Sequence, residues 1–510
     1  MQQNHAVNVF WSGFEAAVSA LFSFTSAFVV ARIVGPAELG FGAAVVAVHV
    51  LLWVVVNALF ADPLVQRSTV DEEAFATAVT TSIPIGCVAA VVQAASGHLL
   101  AWSLDDHRLI GMSLVLALPL PLVGAAGPVQ GMLTRHRGYR QLAWRAMIGQ
   151  GCGTVAGVAS ALLGAGAWAL VAQQLVTSTA GAIVLLAWCP TRPQRMFSMR
   201  RLREMLRIGL PLTASTLVQH GRYRVFALLI GGTAGAAALG QVHMAFRLVD
   251  AMRELALTAQ WRLMLPILSE RQNDFSALHA GIDRCLSWSS LLAFPFCGAM
   301  AVAVQPLIAI LLGPPWQPAG QAAPPLIALT TWQFLTFPAG VAVIARGKPR
   351  YTLVANIAGT AATVAGILLV RPSTPVAAVL VWLAGQMFVS PYVLATNARV
   401  LNTSIFRPVR AGMPVLATSM LATVAALALP ALIGEPRSPA WLLLERLGIV
   451  AVIFAIFLPL VFRRLGLLTT SGGWHLSGRL RTSPHSRPAH LDRGCTAMAE
   501  LRTSNPNYEA

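Results

Sequence analysis

Polar side chains recur at helical spacing within two of the most apolar stretches of this sequence. Near residues 208–231 they fall at steps of 3, 4, 3 and 1, and they are Thr213, Thr216, His220, Tyr223 and Arg224. Near residues 237–260 the steps are 4, 3 and 4, and the residues are His243, Arg247, Asp250 and Glu254. Residues three or four apart share one face of a helix. Each stretch is therefore predicted to turn one polar stripe toward a common partner or space.

The arginines of these stretches predict an anion-binding surface. Arg222 lies about 160° from Arg224 around a helix, so these two cannot share a face. One arginine at mid-bilayer costs about 2.5–3.5 kcal/mol on insertion scales, and three cost on the order of 8–10 kcal/mol. Because the guanidinium fork matches phosphate oxygens, we predict that Arg222, Arg224 and Arg247 bind an anionic substrate, with His220 and His243 as hydrogen-bonding partners.

Acidic residues leave other interpretations open. Arg247 with Asp250, and Arg253 with Glu254, could simply neutralise each other, whereas Arg222 and Arg224 have no acidic residue within a helical turn. A third stripe, near residues 8–31, consists of Glu15, Ser19, Ser23 and Ser26. Glu15 and Asp250 are the candidates for a coupling site or a counter-ion. Glu15 could be a proton or cation site, or the partner of one of these arginines.

Catalytic residues, metal ligands and cofactors are not predicted. The six cysteines form no Cys-x-x-Cys pair and have no histidine at ligand spacing, which is typical of buried small residues or cytosolic thiols.

The elements that must position the polar stripes are membrane-spanning helices. The 510 residues are 56% hydrophobic and 11% charged, with a mean hydropathy of +0.67, whereas soluble domains carry about 25% charged residues. A spanning helix needs about 20 apolar residues. Such stretches lie near residues 8–31, 40–61, 75–98, 109–133, 146–164, 167–188, 208–231, 237–260, 286–312, 323–345, 351–370, 376–398, 411–434 and 439–462. The expected fold class is an all-α polytopic membrane protein with about fourteen transmembrane helices.

A short repeat predicts two related halves. Gly35 to Gly40 and Gly235 to Gly240 both fit Gly-x-Ala-x-Leu-Gly, each at the end of an apolar stretch, where glycine permits a tight return. Six spans separate the copies, so both point the same way across the membrane. We therefore expect two parallel six-helix lobes, 1–188 and 208–398, joined by a basic cytoplasmic linker, 189–207. Two further helices, 399–462, and a disordered cytoplasmic tail, 463–510, complete the expected organisation.

The basic residues predict an orientation. If the amino terminus is cytoplasmic, the six inner loops carry nineteen Lys or Arg and the seven outer loops carry four, while the tail adds seven. This asymmetry is typical of the positive-inside rule, and it places both termini in the cytoplasm. The net charge of +17 is then explained by orientation and anionic lipid heads. Nucleic acid is not an expected partner.

Six short segments carry a resemblance to a known family: residues 10–13, 31–40, 140–145, 230–232, 238–240 and 245–248. Together they resemble the polysaccharide transporter family, the Wzx-type oligosaccharide flippases of the multidrug/oligosaccharidyl-lipid/polysaccharide exporter superfamily. The resemblance implies movement of undecaprenyl-diphosphate-linked oligosaccharide units to the outer leaflet of a bacterial inner membrane by alternating access. Family members commonly carry an Asp late in span seven. Here that neighbourhood, 222–226, contains no acid, so a coupling role at that position is not transferred.

Other functions make different demands on the sequence. A lipid II flippase of the same superfamily is expected to carry basic residues deep in span one, where this chain has Glu15. A multidrug antiporter typically stops at twelve spans and favours an acidic cavity. A polysaccharide polymerase would need a large outer loop, and no outer loop here exceeds about a dozen residues. The prediction is therefore a transporter rather than an enzyme, with membrane lipids, a lipid-linked oligosaccharide and polymerase or export proteins as expected partners.

Overall fold

The structure is a computed structural model that describes residues 2–67, 71–189, 196–433 and 438–464. In these ranges the chain is all-helical, with one short 3-10 turn at Pro314–Trp316. The helices are α1 (Gln2–Val34), α2 (Pro36–Gln66), α3 (Glu72–Leu104), α4 (Arg108–Ala117), α5 (Leu120–Arg135), α6 (Tyr139–Leu162), α7 (Trp168–Ala187), α8 (Met199–Ser269), α9 (Phe275–Leu311), α10 (Gln317–Ala345), α11 (Arg350–Val370), α12 (Pro375–Phe388), α13 (Ser390–Leu401), α14 (Arg407–Arg410), α15 (Met413–Ile433) and α16 (Pro439–Arg464).

Each predicted span coincides with one of these helices or with a helix pair. Helices α4 and α5 together make span four, α12 and α13 make span twelve, and the bent helix α8 makes spans seven and eight. In the described part, eleven helical segments are long and apolar enough to cross a membrane, and Leu21–Val34 is a shorter apolar helix. The predicted all-α polytopic fold is confirmed. The expected tail falls almost entirely on residues outside the described ranges.

The two glycine repeats make the same turn. Gly35 has φ 83° and ψ 168°, and Gly235 has φ 83° and ψ 173°, a region that side-chain-bearing residues rarely adopt. Gly35 separates α1 from α2, and Gly235 separates the first part of α8 (199–234) from the second (236–269). We call the membrane side at which these glycines lie the hairpin end, and the side of residues 196–207 the linker end.

Helices α1 and α2 form one helical hairpin and the two parts of α8 form the other. The two hairpins cross at the second glycine of each repeat, Gly40 and Gly240. A methyl group on Gly40 would overlap the backbone carbonyl of Ala236, and one on Gly240 would overlap the carbonyl of Pro36. The contact is reciprocal, because each glycine meets the second residue of the other repeat. Only a residue without a side chain permits backbones to approach this closely. The two halves are therefore packed tightly together at the hairpin end.

An ionic cluster fastens the first half at the hairpin end. Arg108 contacts Asp106 at 2.7 Å and Glu38 at 2.8 Å, and Glu38 also accepts a 2.9 Å hydrogen bond from the backbone N–H of Ala167. The hydrogen bond from Arg108 lowers the pKa of Asp106. Helices α2 and α4 and the turn before α7 are thereby held together.

A second ionic cluster lies at the linker end. Glu204, near the start of α8, contacts Arg67 at 2.5 Å and Arg201 at 3.2 Å, and Arg201 also pairs with Asp71. The hydrogen bond from Arg67 lowers the pKa of Glu204. In the described part of the expected basic linker, residues 199–207 form the first turns of α8, which continues into span seven. Residues 190–195 lie outside the described ranges.

Candidate functional site

The polar residues of α1 and α8 lie at one level of the molecule. Ser23 and Tyr223 each precede a hairpin glycine by twelve residues, and Arg247 follows Gly235 by twelve. At about 1.5 Å of rise per residue, all three lie roughly 18 Å along their helices from the hairpin end. This is about the middle of a spanning helix. The hairpin geometry therefore brings the three predicted stripes to the same depth.

Arg222 is held by helix α12. Its Nη1 donates a 3.1 Å hydrogen bond to Oε1 of Gln386, and its guanidinium lies 5.4 Å from the ring centroid of Trp382. Both partners are uncharged. Sequence reasoning did not find Gln386 or Trp382, because they lie some 160 residues away in a span without charged residues.

Tyr223, His243 and Arg224 form a second group. The Tyr223 hydroxyl and Nδ1 of His243 are 3.0 Å apart, and the Arg224 guanidinium lies 5.4 Å from the Tyr223 ring centroid. Arg224 is close enough to repel Arg247 electrostatically. Nδ1 of His243 is thus already bound within the protein. The predicted hydrogen bond to substrate would have to use Nε2.

Arg247 links the second half to the first. Its Nη2 donates to the backbone carbonyl of Ser23 at 3.2 Å and also to the Ser23 hydroxyl. Ser23 belongs to the stripe of α1, so two of the three predicted stripes meet directly. Within the described side chains, Arg222, Arg224 and Arg247 form no ion pair, and their close contacts are to neutral groups. Asp250 acts on Arg222 and Arg247 electrostatically at longer range.

Asp250, the alternative partner of Arg247, acts on Arg247 electrostatically but makes its ion pair with another arginine. Asp250 pairs with Arg253 at 2.9 Å, and Arg253 also donates a 3.4 Å hydrogen bond to Oε1 of Gln333. Asp250 lies three residues from both arginines, so helical spacing alone allows either pairing. The side chains of His220 and Glu254 lie outside the described part of the structure.

Glu15 has a different counter-ion from those anticipated. The cation that acts on it electrostatically is Arg145 of α6, and not Arg222, Arg224 or Arg247. We placed Arg145 in a loop before span five, but α6 begins at Tyr139 and includes it. Its guanidinium lies beside Gly181 of α7. The turn residues at 137–138, just before α6, were the available signal for this earlier helix start.

A buried histidine in the first half was also missed. His49 is fully buried, with Nδ1 3.0 Å from the Leu116 carbonyl and Nε2 3.2 Å from the Ser178 hydroxyl. Both ring nitrogens are used, so His49 ties α2 to α4 and α7 and is not a substrate group.

Two further features define the chemistry available. An apolar recess beside Arg253 lies between α8, α9 and α10 and is lined by Val249, Phe296, Cys297, Met300, Ile327, Thr330 and Phe334. Among the described residues, no group of three His, Cys, Asp or Glu side chains is arranged to hold a metal ion.

Comparison with known sequences gives a consistent family. Residues 29–321 match a family described as polysaccharide biosynthesis protein. The succinoglycan biosynthesis transport protein ExoT of Rhizobium meliloti (strain 1021) is 22% identical over 309 residues, which are 61% of this chain and 63% of the relative. The teichuronic acid biosynthesis protein TuaB of Bacillus subtilis (strain 168) is 22% identical over 301 residues, 58% of this chain and 62% of the relative. The chain thus spans a little under two thirds of these relatives.

Solved structures show the same fold. The lipid II flippase MurJ in an inward closed conformation superposes with a TM-score of 0.74 at 10% identity, covering 90% of this chain and 99% of that one. An inward-facing multidrug resistance MATE family transporter of the MOP superfamily gives a TM-score of 0.55 at 14% identity, covering 81% of this chain and 98% of that one. At such identities the likeness concerns the fold alone.

Proposed function

Since the chain belongs to the polysaccharide biosynthesis protein family, we propose that it is a flippase for undecaprenyl-diphosphate-linked oligosaccharide repeat units. It would move them from the cytoplasmic to the periplasmic leaflet for the assembly of a surface polysaccharide, exopolysaccharide or O-antigen. The observation that carries the proposal is the group of intramembrane arginines in α8, Arg222, Arg224 and Arg247, which are held by neutral partners.

The free-energy cost of these arginines favours an anionic substrate. A central arginine costs about 2.5–3.5 kcal/mol in a membrane, and hydrogen bonds to Gln386 or Ser23 satisfy N–H groups without cancelling charge. A diphosphate headgroup would cancel it, and a low dielectric strengthens each contact. In this proposal Arg222, Arg224 and Arg247 contact the diphosphate or an acidic sugar, and His220 and His243 donate or accept hydrogen bonds.

The packing of the halves supports alternating access. At the hairpin end the Gly40 and Gly240 crossing leaves no room between the two hairpins, so a substrate at the level of Arg247 would have no exit there in this conformation. Transport would then require the predicted lobes, 1–188 and 208–398, to separate at the hairpin end. The contact from Arg247 to Ser23 would break or lengthen during that movement.

The acidic candidates receive separate roles. Glu15, with Arg145 as its electrostatic partner, remains the candidate for ion coupling. A carboxylate can take up and release a proton, and protonation would weaken its attraction to Arg145. Asp250 is proposed to be a counter-ion, because it already holds Arg253.

The proposed setting follows from the charge distribution and the family. We place the protein in a bacterial inner membrane with both termini cytoplasmic, acting as a transporter and not as an enzyme, beside polymerase and export proteins of the same assembly. The segments 189–207, 399–462 and 463–510 would be the linker, an additional helix pair and a cytoplasmic tail.

The test is mass spectrometry of lipid-linked oligosaccharides in a deletion strain, with a probe that cannot cross the membrane reporting their leaflet. Complete repeat units stranded on the inner leaflet, with loss of surface polysaccharide, are expected. Unpolymerised units on the outer leaflet would indicate a polymerase, and an unchanged lipid pool would favour drug efflux. Accumulation of lipid II instead would assign the chain to peptidoglycan precursors.

A further inference from the structure

Two arginines of α8 are held by glutamines but differ in charge balance. Arg222 donates to Oε1 of Gln386 at 3.1 Å, and Arg253 donates to Oε1 of Gln333 at 3.4 Å. Arg253 also pairs with Asp250 at 2.9 Å, whereas in the described part Arg222 has no carboxylate within ion-pair distance. The same side-chain type thus supports one cation with a paired carboxylate and one without. Arg222 is influenced at longer range by both Asp250 and Arg253, whose charges oppose each other.

Helix α11 fixes the orientation of Gln386. Its Nε2 donates to the Thr363 hydroxyl at 3.3 Å and approaches the Gly359 carbonyl at 3.5 Å. The Thr363 hydroxyl donates its own hydrogen to that carbonyl at 2.8 Å, so its oxygen is available as an acceptor. Because the amide N–H groups are directed to these acceptors, the amide oxygen is the atom left for Arg222.

Trp382 supports the same guanidinium through its ring. The indole is 4% exposed and packs against Phe226 and Phe246, with ring centroids 4.7 Å and 5.3 Å away. A cation above an aromatic face is attracted without being neutralised. Gln386 and Trp382 therefore restrict Arg222 from two directions, and both leave its full charge in place.

We infer that Gln386 is a positioning residue that presents Arg222 as an uncancelled cation, and that it thereby sets a preference for a diphosphate over a monophosphate headgroup. The inference rests on the proposed function, since it names the chemistry of the same site. A single glutamine contact uses one N–H of the guanidinium, and the remaining donors of the fork are available for phosphate oxygens. The second phosphate gains from the uncancelled charge, so the selectivity should depend on residue 386.

The test is the variant Gln386→Glu, which keeps the size of the side chain and places a carboxylate beside Arg222. The full-length protein, in nanodiscs of phosphatidylethanolamine, is titrated with undecaprenyl diphosphate and with undecaprenyl monophosphate. We expect the affinity for the diphosphate lipid to fall at least tenfold, and the ratio of the two affinities to fall toward one. The matched control is Gln333→Glu, which changes the net charge equally beside an arginine that already has Asp250. It should keep the wild-type ratio.

The outcomes separate the inference from the proposed function. Wild-type affinity and selectivity in Gln386→Glu would overturn the inference and leave the proposed function standing. Both would be overturned if the wild-type protein bound neither undecaprenyl diphosphate nor undecaprenyl monophosphate in preference to the phosphatidylethanolamine of the nanodisc. An equal loss in Gln386→Glu and Gln333→Glu would also contradict the inference, because the effect would then be one of general charge.

A second variant covers the case in which Gln386→Glu does not fold. Gln386→Met removes the acceptor without adding charge and leaves Arg222 without its hydrogen bond. We expect a fall of about three- to tenfold in affinity for both lipids, the size expected for the loss of one ordinary hydrogen bond within the protein. Unchanged binding by this variant would show that Gln386 does not position Arg222.

Discussion

The two hairpins have one backbone and two different surfaces. Gly35 and Gly235 share their turn geometry, and Gly40 and Gly240 pack reciprocally. At the offset of 200 residues, however, Arg222, Arg224 and Arg247 correspond to Phe22, Phe24 and Ala47. In the first half these positions are apolar, and Phe24 packs on Phe28 at 4.4 Å.

The repeated backbone sets the depth of each side chain in the membrane and the direction of each helix, while the identity of the side chains sets the chemistry. Two titratable groups of the first half have their partners within it: His49 joins three helices, and Glu15 has Arg145 as its electrostatic neighbour. Among the described residues, Arg222, Arg224 and Arg247 of the second half make their contacts with neutral groups. We therefore propose that the second half binds the substrate headgroup.

The largest effect is expected from removing a cation of the second half. Arg224→Ala should reduce export of the repeat unit at least hundredfold while the protein still folds and inserts. Truncating a buried charged contact costs about 2–5 kcal/mol in complexes, and 2.7 kcal/mol corresponds to a factor of about one hundred. The measurement is the outer-leaflet pool of lipid-linked oligosaccharide.

The matched control for this prediction is Phe24→Leu at the equivalent position of the first half, which should retain most transport. The assignment to the second half would be wrong if the two variants lost transport equally. The cationic-site idea itself would fail if Arg222→Ala, Arg224→Ala and Arg247→Ala each exported at the wild-type rate.

The next effect tests the symmetry of the crossing. Gly40→Leu and Gly240→Leu should each slow transport about tenfold or more, and to a similar extent, because either side chain would overlap the backbone of the other hairpin. Overpacking typically costs about 1–3 kcal/mol. The control is Gly232→Ala, since a methyl group at Gly232 meets no atom within 4 Å. Unequal effects of Gly40→Leu and Gly240→Leu would argue against equal roles of the two glycines in the hairpin crossing.

A smaller effect is expected for the charge pair of the first half. Glu15→Gln should destabilise the protein by about 1 kcal/mol, because it leaves Arg145 without its acidic neighbour in a partly buried place. Adding Arg145→Gln should recover part of that loss in a thermal double-mutant cycle. Strictly additive effects would mean that the two residues do not interact.

The smallest effect concerns pH and lies outside the membrane. The pKa of Glu204 is lowered in the folded protein by its bond with Arg67, so its contribution to stability is present above the unfolded pKa and is lost as pH falls through the folded pKa. The unfolding temperature of the wild type should thus decrease below about pH 4.5. Glu204→Gln should show a shallower decrease over that range, and identical pH profiles would contradict the role of this carboxylate.

Hydropathy and the spacing of the glycines were sufficient to predict the all-α polytopic fold from the sequence. A spanning segment must satisfy its backbone hydrogen bonds internally, so apolar stretches of sufficient length were expected to be helices, and eleven helical segments in the described part are long and apolar enough to span. Helix α6 was placed too late in the chain, because Arg145 interrupts the apolar pattern. The structure includes that arginine in the helix and gives it Glu15 as electrostatic neighbour.

Which residues share a helix face, and how far they lie from the hairpin glycines, follows from the local sequence, because helical periodicity is a local property of the backbone. The partners of these residues follow from how the helices pack. Asp250 could have paired with Arg247 or Arg253 at equal spacing, and it pairs with Arg253. Arg222 meets Gln386, and Arg247 meets Ser23 across 224 residues. Lateral packing of helices brings such groups together, and local helical periodicity does not reveal which helices will be neighbours.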